Sequence, residues 1–366
     1  MKKITLLIGI PALLIIVALW AFSYFKQPEP KHFILIVADA MRADHLGCFG
    51  SGENHSPNID RLAQDSIVFE NTTAAGSWTF PSNCSIFTGQ YPHETGDSRI
   101  PTHLVLQADS IVEYFQKAGY KTAAFSSHGI IAPNWKFDQG FDEFTFRNPF
   151  GQDERTATDA ARWIKQHRDE KTFLLVYFYD PHHAYDPTKP PDSVIGKLDQ
   201  VRSTVAKGFI PLEAKYRKPI IKPDAIEMNE VTPLEVEVLH ELYKADIAEV
   251  DDYIGRILKA VDSDRETVIA FLSDHGEEWL EHEGLSHKEL PYTEIVHVPF
   301  VLHIPGVNPQ RISNPVGHLD LVPTMLDIAG IQTANTFRGQ SLLPLSEIPE
   351  NRIFFTESLH LSLIHI

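Results

Sequence analysis

Cysteine is scarce in this sequence, and extended runs of basic residues are absent. The 366 residues include two cysteines, Cys48 and Cys84, which excludes a disulfide-rich scaffold. They either pair in an oxidising compartment or are two small buried side chains, and the second interpretation is favoured. A formal net charge of -17 without a basic cluster argues against a nucleic-acid partner, because binding to phosphate backbones requires clustered Lys and Arg.

Charge is also missing from residues 4–25, which read ITLLIGIPALLIIVALWAFSYF. About 20 apolar residues are enough to cross a bilayer. This stretch has no small-residue cleavage site and ends in aromatic residues typical of a membrane interface. It predicts one uncleaved transmembrane helix within residues 1–25, with a removed signal peptide as the alternative. Lys2 and Lys3 place the N-terminus in the cytoplasm, and the rest of this single-pass cell-membrane protein then lies in the periplasm or outside.

Four short apolar runs follow a charged linker at residues 26–31, and each run ends at polar residues. Amphipathic helical patterns separate the runs, which predicts an α/β fold with a mostly parallel central sheet and helices on both faces. The carboxyl ends of such strands meet at one edge, where ligands bind. The polar residues at the four run ends are, in chain order, Asp39; Ser126, Ser127 and His128; Asp180, His182, His183 and Asp186; and Asp274, His275, Glu277 and Glu278.

Each polar cluster has an ordinary structural alternative. A single Asp after a strand is commonly a helix cap or a turn former, and SDHGEE alone is consistent with a solvated loop. Four coincident cases favour a functional site at the sheet edge. Carboxylate and imidazole ligands together suit Mg²⁺, Ca²⁺, Mn²⁺ or Zn²⁺, and thiolates are not needed.

The segment GSWTFPSNCSIFTGQYP, residues 76–92, offers several hydroxyl groups and a thiol as candidate nucleophiles. Pro81 fits the first turn of a helix, so we expect Thr79 just before the helix N-terminus, where free N–H groups favour an anion. Ser82, Cys84 and Ser85 then lie inside the helix. A plain N-cap is the alternative role for Thr79.

A threonine hydroxyl is a weak nucleophile near neutral pH because it is scarcely ionised. A metal held by Asp39, Asp274 and His275 would lower its pKa and neutralise charge on a tetrahedral oxyanion. His182 and His287 would then bind the ester oxygens or protonate the leaving group.

These residues resemble the sulfatase-like branch of the alkaline phosphatase superfamily. The blocks ILIVADAMRADHLGCFG, SWTFPSNCSIFTGQYPHETG and FYDPHHAYDP are similar to successive blocks of that family, and the likeness covers residues 31–345, more weakly at 188–235. It implies a catalytic domain at 32–345 and, at 346–366, the start of a truncated C-terminal subdomain with a non-native tail. The resemblance implies a metal site formed by Asp39, Thr79, Asp274 and His275. It implies catalytic roles for Thr79, His182 and His287. The predicted substrate-binding residues are Asn83, His183 and Lys288.

Two departures from the family pattern change the expected chemistry. Sulfatases carry a C/S-x-P-x-R motif whose first residue is oxidised to formylglycine, whereas this chain has Thr79 at that position and Asn83 in place of the arginine. Ala40 replaces the second carboxylate of a D-D-x-R pattern. The remaining ligands resemble the Mn²⁺ or Zn²⁺ site of threonine-nucleophile relatives, so these metals are favoured over Mg²⁺ or Ca²⁺.

The expected function is metal-dependent hydrolysis or transfer of a phosphate or sulfate ester that is linked to a lipid or a glycan. Phosphate esters are preferred over sulfate esters. One alternative is a sulfuric ester hydrolase. The other is a non-catalytic metal- or ligand-binding domain of the same fold, which Ala40 and Asn83 motivate and which metal content would distinguish.

Overall fold

The computed structural model describes residues 30–95, 108–147, 152–203, 231–261, 266–287, 290–334 and 336–358. The predicted membrane anchor and the final eight residues lie outside these ranges. Within the described ranges, no helix combines the length and the apolar character that crossing a bilayer requires.

The described strands are β1 (His32–Ala38), β2 (Ile67–Phe69), β3 (Thr72–Thr73), β4 (Lys121–Ser126), β5 (Glu143–Phe146), β6 (Thr172–Phe178), β7 (Thr267–Ser273), β8 (Glu278–Trp279), β9 (Leu285–Ser286), β10 (Phe300–His303), β11 (Gln310–Ile312) and β12 (Val316–Gly317). Eight of them form a mixed sheet at the centre of the molecule, in the order β11-β2-β10-β7-β1-β6-β4-β5. Strand β10 runs antiparallel to both of its neighbours, and the other pairings in this sheet are parallel. The prediction of a mostly parallel sheet is therefore confirmed.

Helices cover both faces of the sheet, as the alternating pattern predicts. The described α-helices are α1 (Pro57–Gln64), α2 (Thr79–Thr88), α3 (Pro92–Thr95), α4 (Ile111–Lys117), α5 (Asp153–Gln166), α6 (Asp192–Ile195), α7 (Pro233–Ala260), α8 (Thr293–Val296) and α9 (Leu321–Ile328). The longest, α7, has 28 residues and begins with a capping box between Thr232 and Glu235.

The side chains of β1 alternate between two hydrophobic cores, one on each face of the sheet. Ile34 and Ile36 pack in the core that α1, α5 and α7 cover. Phe33, Leu35 and Val37 pack in the core that α2, α4 and α9 cover. Because β1 is buried along its whole length, it reads as a continuous apolar run rather than an alternating one.

Strand register brings the first and fourth polar clusters together. Ala38, the last residue of β1, pairs with Phe178 of β6 on one side and with Ser273 of β7 on the other. The residues that follow β1 and β7, Asp39 and Asp274, therefore leave the sheet at the same level on adjacent strands. This geometry places both carboxylates at the expected carboxyl edge.

Candidate active site

Thr79 is the first residue of α2, with Trp78 at the N-cap position. It is therefore not the N-cap, and the expectation that it precedes the helix is wrong by one residue. Pro81 lies in the first turn, as predicted. The approach to the helix is tight, because a Cβ on Gly76 would lie 2.7 Å from the Ser82 backbone nitrogen. Thr79 is consequently held at a fixed place with 2% of its surface exposed.

The Thr79 hydroxyl contacts the cluster formed by Asp39, Asp274 and His275. Its Oγ1 lies 3.4 Å from Asp39 Oδ2 and 3.4 Å from His275 Nε2. His275 Nε2 also lies 3.2 Å from Asp39 Oδ1 and 3.7 Å from Asp274 Oδ2. All three cluster side chains are fully buried. The structure thus brings together the four residues predicted to bind metal.

The charges in this cluster fit a divalent cation. Burial, reinforced by the Asp274 carboxylate, raises the pKa of Asp39 to about 8. Burial opposes protonation of His275, but the Asp274 and Asp39 carboxylates raise its pKa to about 9. One ligand atom from each residue lies within 4.8 Å of the others. Buried carboxylates of this kind require a proton or a cation between them.

Hydrogen bonds from neighbouring groups orient the Asp274 carboxylate. The Tyr177 hydroxyl donates to Asp274 Oδ2 at 2.7 Å, and Asn83 Nδ2 donates to the same oxygen at 3.0 Å. The amide of Ala40 donates to Oδ1 at 3.2 Å. Asn83 Nδ2 also lies 2.8 Å from the Thr79 carbonyl oxygen. Asn83 thus contacts both the Thr79 backbone and the Asp274 carboxylate, and its predicted contact with substrate stays a prediction.

His128, to which the sequence assigned no role, also lies in the site. Its Nε2 lies 3.0 Å from Asp39 Oδ2. Burial, together with nearby His275, lowers the pKa of His128 to about 3, so the ring is neutral at physiological pH. Its place at the end of β4, the second of the four polar clusters, is the sequence signal that identifies it.

A second cluster, formed by His182, His183 and His287, adjoins the first. One ring nitrogen from each of these residues lies within 4.8 Å of the others. The ring centroids of His275 and His287 are 4.1 Å apart, which makes the two clusters neighbours. Burial, followed by the charge of His183, lowers the pKa of His182 well below its usual value. Lys288, the remaining predicted substrate ligand, lies outside the described residues.

A family model described as Sulfatase matches residues 31–331. The chain is 24% identical over 365 residues to "Uncharacterized sulfatase YidJ" of Escherichia coli (strain K12), covering 88% of this chain and 72% of that protein. It is 24% identical over 354 residues to an ulvan-active sulfatase of Formosa agariphila, covering 88% of this chain and 66% of that protein.

Solved structures share the fold. The phosphonate monoester hydrolase of Agrobacterium radiobacter matches with a TM-score of 0.65 at 22% identity, covering 89% of this chain and 78% of that one. The family model spans most of the sequence, including the strand ends that carry the buried acid and histidine residues. The chain therefore belongs to the sulfatase family of ester hydrolases.

Proposed function

We propose that this chain attacks a phosphate or sulfate ester with the Thr79 hydroxyl in a metal-dependent hydrolysis or transfer, and that phosphate esters are preferred. The position of Thr79 supports the proposal most strongly. Its Oγ1 lies 3.4 Å from each of two cluster atoms, Asp39 Oδ2 and His275 Nε2, at the N-terminus of α2. Free N–H groups at a helix N-terminus attract the anionic part of such an ester.

Asp39, Asp274 and His275 would hold the cation, with Thr79 as a fourth ligand. Two carboxylates and one imidazole suit Mn²⁺ or Zn²⁺ better than Ca²⁺, which takes six to eight oxygen ligands. When bound, the cation supplies a lower pKa for the hydroxyl and charge neutralisation at the ester oxygens.

The reaction takes place in two displacements. The Thr79 proton passes to Asp39 Oδ2, 3.4 Å from Oγ1, because the Nε2 lone pair of His275 would hold the cation. As the bond from Oγ1 to phosphorus or sulfur forms, the bond from that atom to the ester oxygen breaks, and the alcohol leaves with a proton for which His182 and His287 are the predicted donors. Water or an acceptor hydroxyl then attacks the phosphorus or sulfur atom, and the bond from that atom to Oγ1 breaks. The attacking hydroxyl passes its proton to the histidine that protonated the alcohol, and Oγ1 recovers its own proton from Asp39.

Sulfate ester hydrolysis is the second candidate. The family model and the two curated relatives, both of which are named as sulfatases, support it. One observation argues against sulfate ester hydrolysis. Sulfatases use a formylglycine made from an oxidisable Cys or Ser, and this chain has Thr79 at that position. The similar fold of a phosphonate monoester hydrolase is compatible with the preferred phosphoester reaction. A cell-membrane location, which rests on residues 1–25, and an ester linked to a lipid or a glycan are further parts of the proposal.

Hydrolysis of nitrophenyl phosphate, bis-nitrophenyl phosphate and nitrophenyl sulfate by the full chain tests this proposal. Metal-stripped protein receives Mn²⁺, Zn²⁺, Mg²⁺ or Ca²⁺ in turn. We expect phosphoester turnover that requires metal and is lost in Thr79→Ala. Thr88→Ala is the matched control, because Thr88 is a buried threonine of the same helix whose hydroxyl donates to the Cys84 carbonyl oxygen at 2.6 Å. Faster turnover of the sulfate would reverse the substrate preference.

A further inference from the structure

We propose that a cavity at the amino ends of β1, β6 and β7 binds a small amphipathic carboxylate, an anion whose body is one aromatic ring or a short alkyl chain. The cavity has a volume of about 220 Å³ and is lined by the first residues of these strands and by residues at the ends of α5 and α7. An engineered apolar cavity of about 150 Å³ binds benzene, whereas drug-sized ligands occupy sites of about 300–1,000 Å³. A one-ring anion is therefore of the right size.

Strand register gives the cavity a polar row and an apolar row. His32 of β1 pairs with Thr172 of β6 on one side and with Thr267 of β7 on the other, so these three side chains form a row at the amino edge of the sheet. Two residues further along the strands, on the same face, Ile34 pairs with Leu174. All five residues line the cavity, and none is more than 9% exposed. A ligand that spans both rows needs one polar end and one apolar end.

Trp163 of α5 supplies an unused hydrogen-bond donor to the cavity. Its side chain is among the lining residues and is 3% exposed. The indole Nε1 is buried, and no acceptor for its proton is found in the part of the chain that the structure describes. Buried polar groups are nearly always paired, and an indole N–H can only donate. The ligand should therefore bring an acceptor, such as a carboxylate oxygen.

Two cationic side chains at the cavity favour an anion over a neutral ligand. Lys165 and Arg168 are both lining residues, and both are exposed to solvent. Among the described residues Lys165 forms no ion pair, and Arg168 approaches only Asp169, at 3.9 Å. Nearby Glu266 is already engaged, because its carboxylate lies 2.7 Å from the Lys31 ammonium. In a chain with a net charge of -17, this local positive charge selects a carboxylate.

The cavity lies at the opposite end of the sheet from the catalytic cluster. His32 and Asp39 are seven residues apart along β1, which corresponds to about 23 Å at about 3.3 Å per residue. A ligand in the cavity therefore does not contact the ester, and the inference stands independently of the proposed function. Because the site exists only in the folded chain, its ligand should raise the melting temperature by mass action.

Equilibrium dialysis of the full chain against radiolabelled phenylacetate tests the site. We expect one equivalent with a Kd of about 0.01–1 mM, which is within reach of so small a ligand. Phenylacetamide, its neutral counterpart of the same size, should bind about 10-fold more weakly, because hydrogen bonds to charged groups are stronger. No bound phenylacetate at about 10 mM, or equal binding of the amide, would overturn the inference.

Two variants and a control tie the binding to this cavity. Ala260→Leu fills the cavity from the end of α7, so it should abolish binding while melting at or above the wild-type temperature. Trp163→Phe keeps an aromatic ring but removes the donor, and it should weaken binding about 10-fold. Trp279→Phe is the matched control, because Trp279 Nε1 is also buried without a described partner but lies on β8, away from the cavity.

The outcomes do not depend on any enzyme assay. Phenylacetate should raise the melting temperature of the wild type and of Trp279→Phe, and it should leave that of Ala260→Leu unchanged. Should Ala260→Leu fail to fold, the comparison of the two tryptophan variants still decides the question. Binding that persists in folded Ala260→Leu, or an equal loss of affinity in Trp163→Phe and Trp279→Phe, would overturn the inference.

Discussion

Removal of one hydroxyl group, in Tyr177→Phe, should weaken metal binding while leaving the fold intact. The Tyr177 hydroxyl donates to Asp274 Oδ2 at 2.7 Å and accepts from Asn83 Nδ2 at 2.9 Å. The side chain is fully buried within β6, so no water can replace the lost donor easily. The variant leaves Asp274 with a poorer orientation and one fewer hydrogen bond.

The size of the effect follows from two independent estimates. Loss of an outer-shell partner typically lowers metal affinity 10–100-fold, or by about 1.4–2.8 kcal/mol. A hydrogen bond to a charged group is worth about 1.5–3 kcal/mol. The two ranges agree, so we expect a Kd for Mn²⁺ or Zn²⁺ at the Asp274 cluster that is about 10–100-fold higher.

Isothermal titration of metal-stripped protein measures this change. Tyr120→Phe is the control, because Tyr120 is also a buried tyrosine but lies at the amino end of β4, packed against Phe33 and Phe115. That variant should bind metal like the wild type. Unchanged affinity in Tyr177→Phe, with both variants folded, would refute the assignment of Asp274 as a metal ligand supported by Tyr177.

Three other variants follow from individual contacts. Burial, with the charges of Asp186 and Glu249 next to it, raises the pKa of Asp246 well above its usual value, and neither of its carboxylate oxygens makes a hydrogen bond. A raised carboxyl pKa gives stability below about pH 3.8 that is lost as pH rises towards the folded-state value. Asp246→Asn should therefore raise the free energy of unfolding more at pH 8 than at pH 5, by about 1–3 kcal/mol. Thermal melts at both pH values check this, and a lower melting temperature than the wild type at pH 8 would contradict it. Gly276→Ala should reduce both stability and metal affinity in thermal melts and titrations, because a Cβ there would lie 2.0 Å from the Glu294 carbonyl oxygen, and wild-type values for both would refute the expected loop displacement. His128→Gln should lower kcat more than metal affinity, since the ring contacts Asp39 Oδ2 at 3.0 Å but is not one of the residues expected to hold the cation, and an unchanged kcat in steady-state assays would remove His128 from the site.

The sequence predicts the sheet and the main cluster because both depend on local patterns. Buried parallel strands are continuous apolar runs, and the residue after each run is fixed at the sheet edge by backbone geometry alone. Asp39 and Asp274 then meet because β1 and β7 pair in register. No long-range information beyond strand adjacency is needed for that result.

The supporting residues could not be predicted in the same way. Tyr177 lies inside the run TFLLVYFY, where its ring looks like an ordinary core residue, and its contact with Asp274 depends on the pairing order of three strands. The contact of Glu277 with His287 depends on how the loop after β9 folds back. The one-residue difference at Thr79 has a local cause, since Trp78 in an extended conformation takes the N-cap position.

Acid quenching during turnover tests the central claim, attack by Thr79, most directly. The full chain with Mn²⁺ or Zn²⁺ is mixed with bis-nitrophenyl phosphate or nitrophenyl sulfate, quenched, digested and analysed by peptide mass spectrometry. The account predicts a peptide whose Thr79 carries a nitrophenyl phosphate diester, or a sulfate with the second substrate, and the adduct is absent from Thr79→Ala. Turnover that persists in Thr79→Ala, or an adduct on another residue, would contradict it.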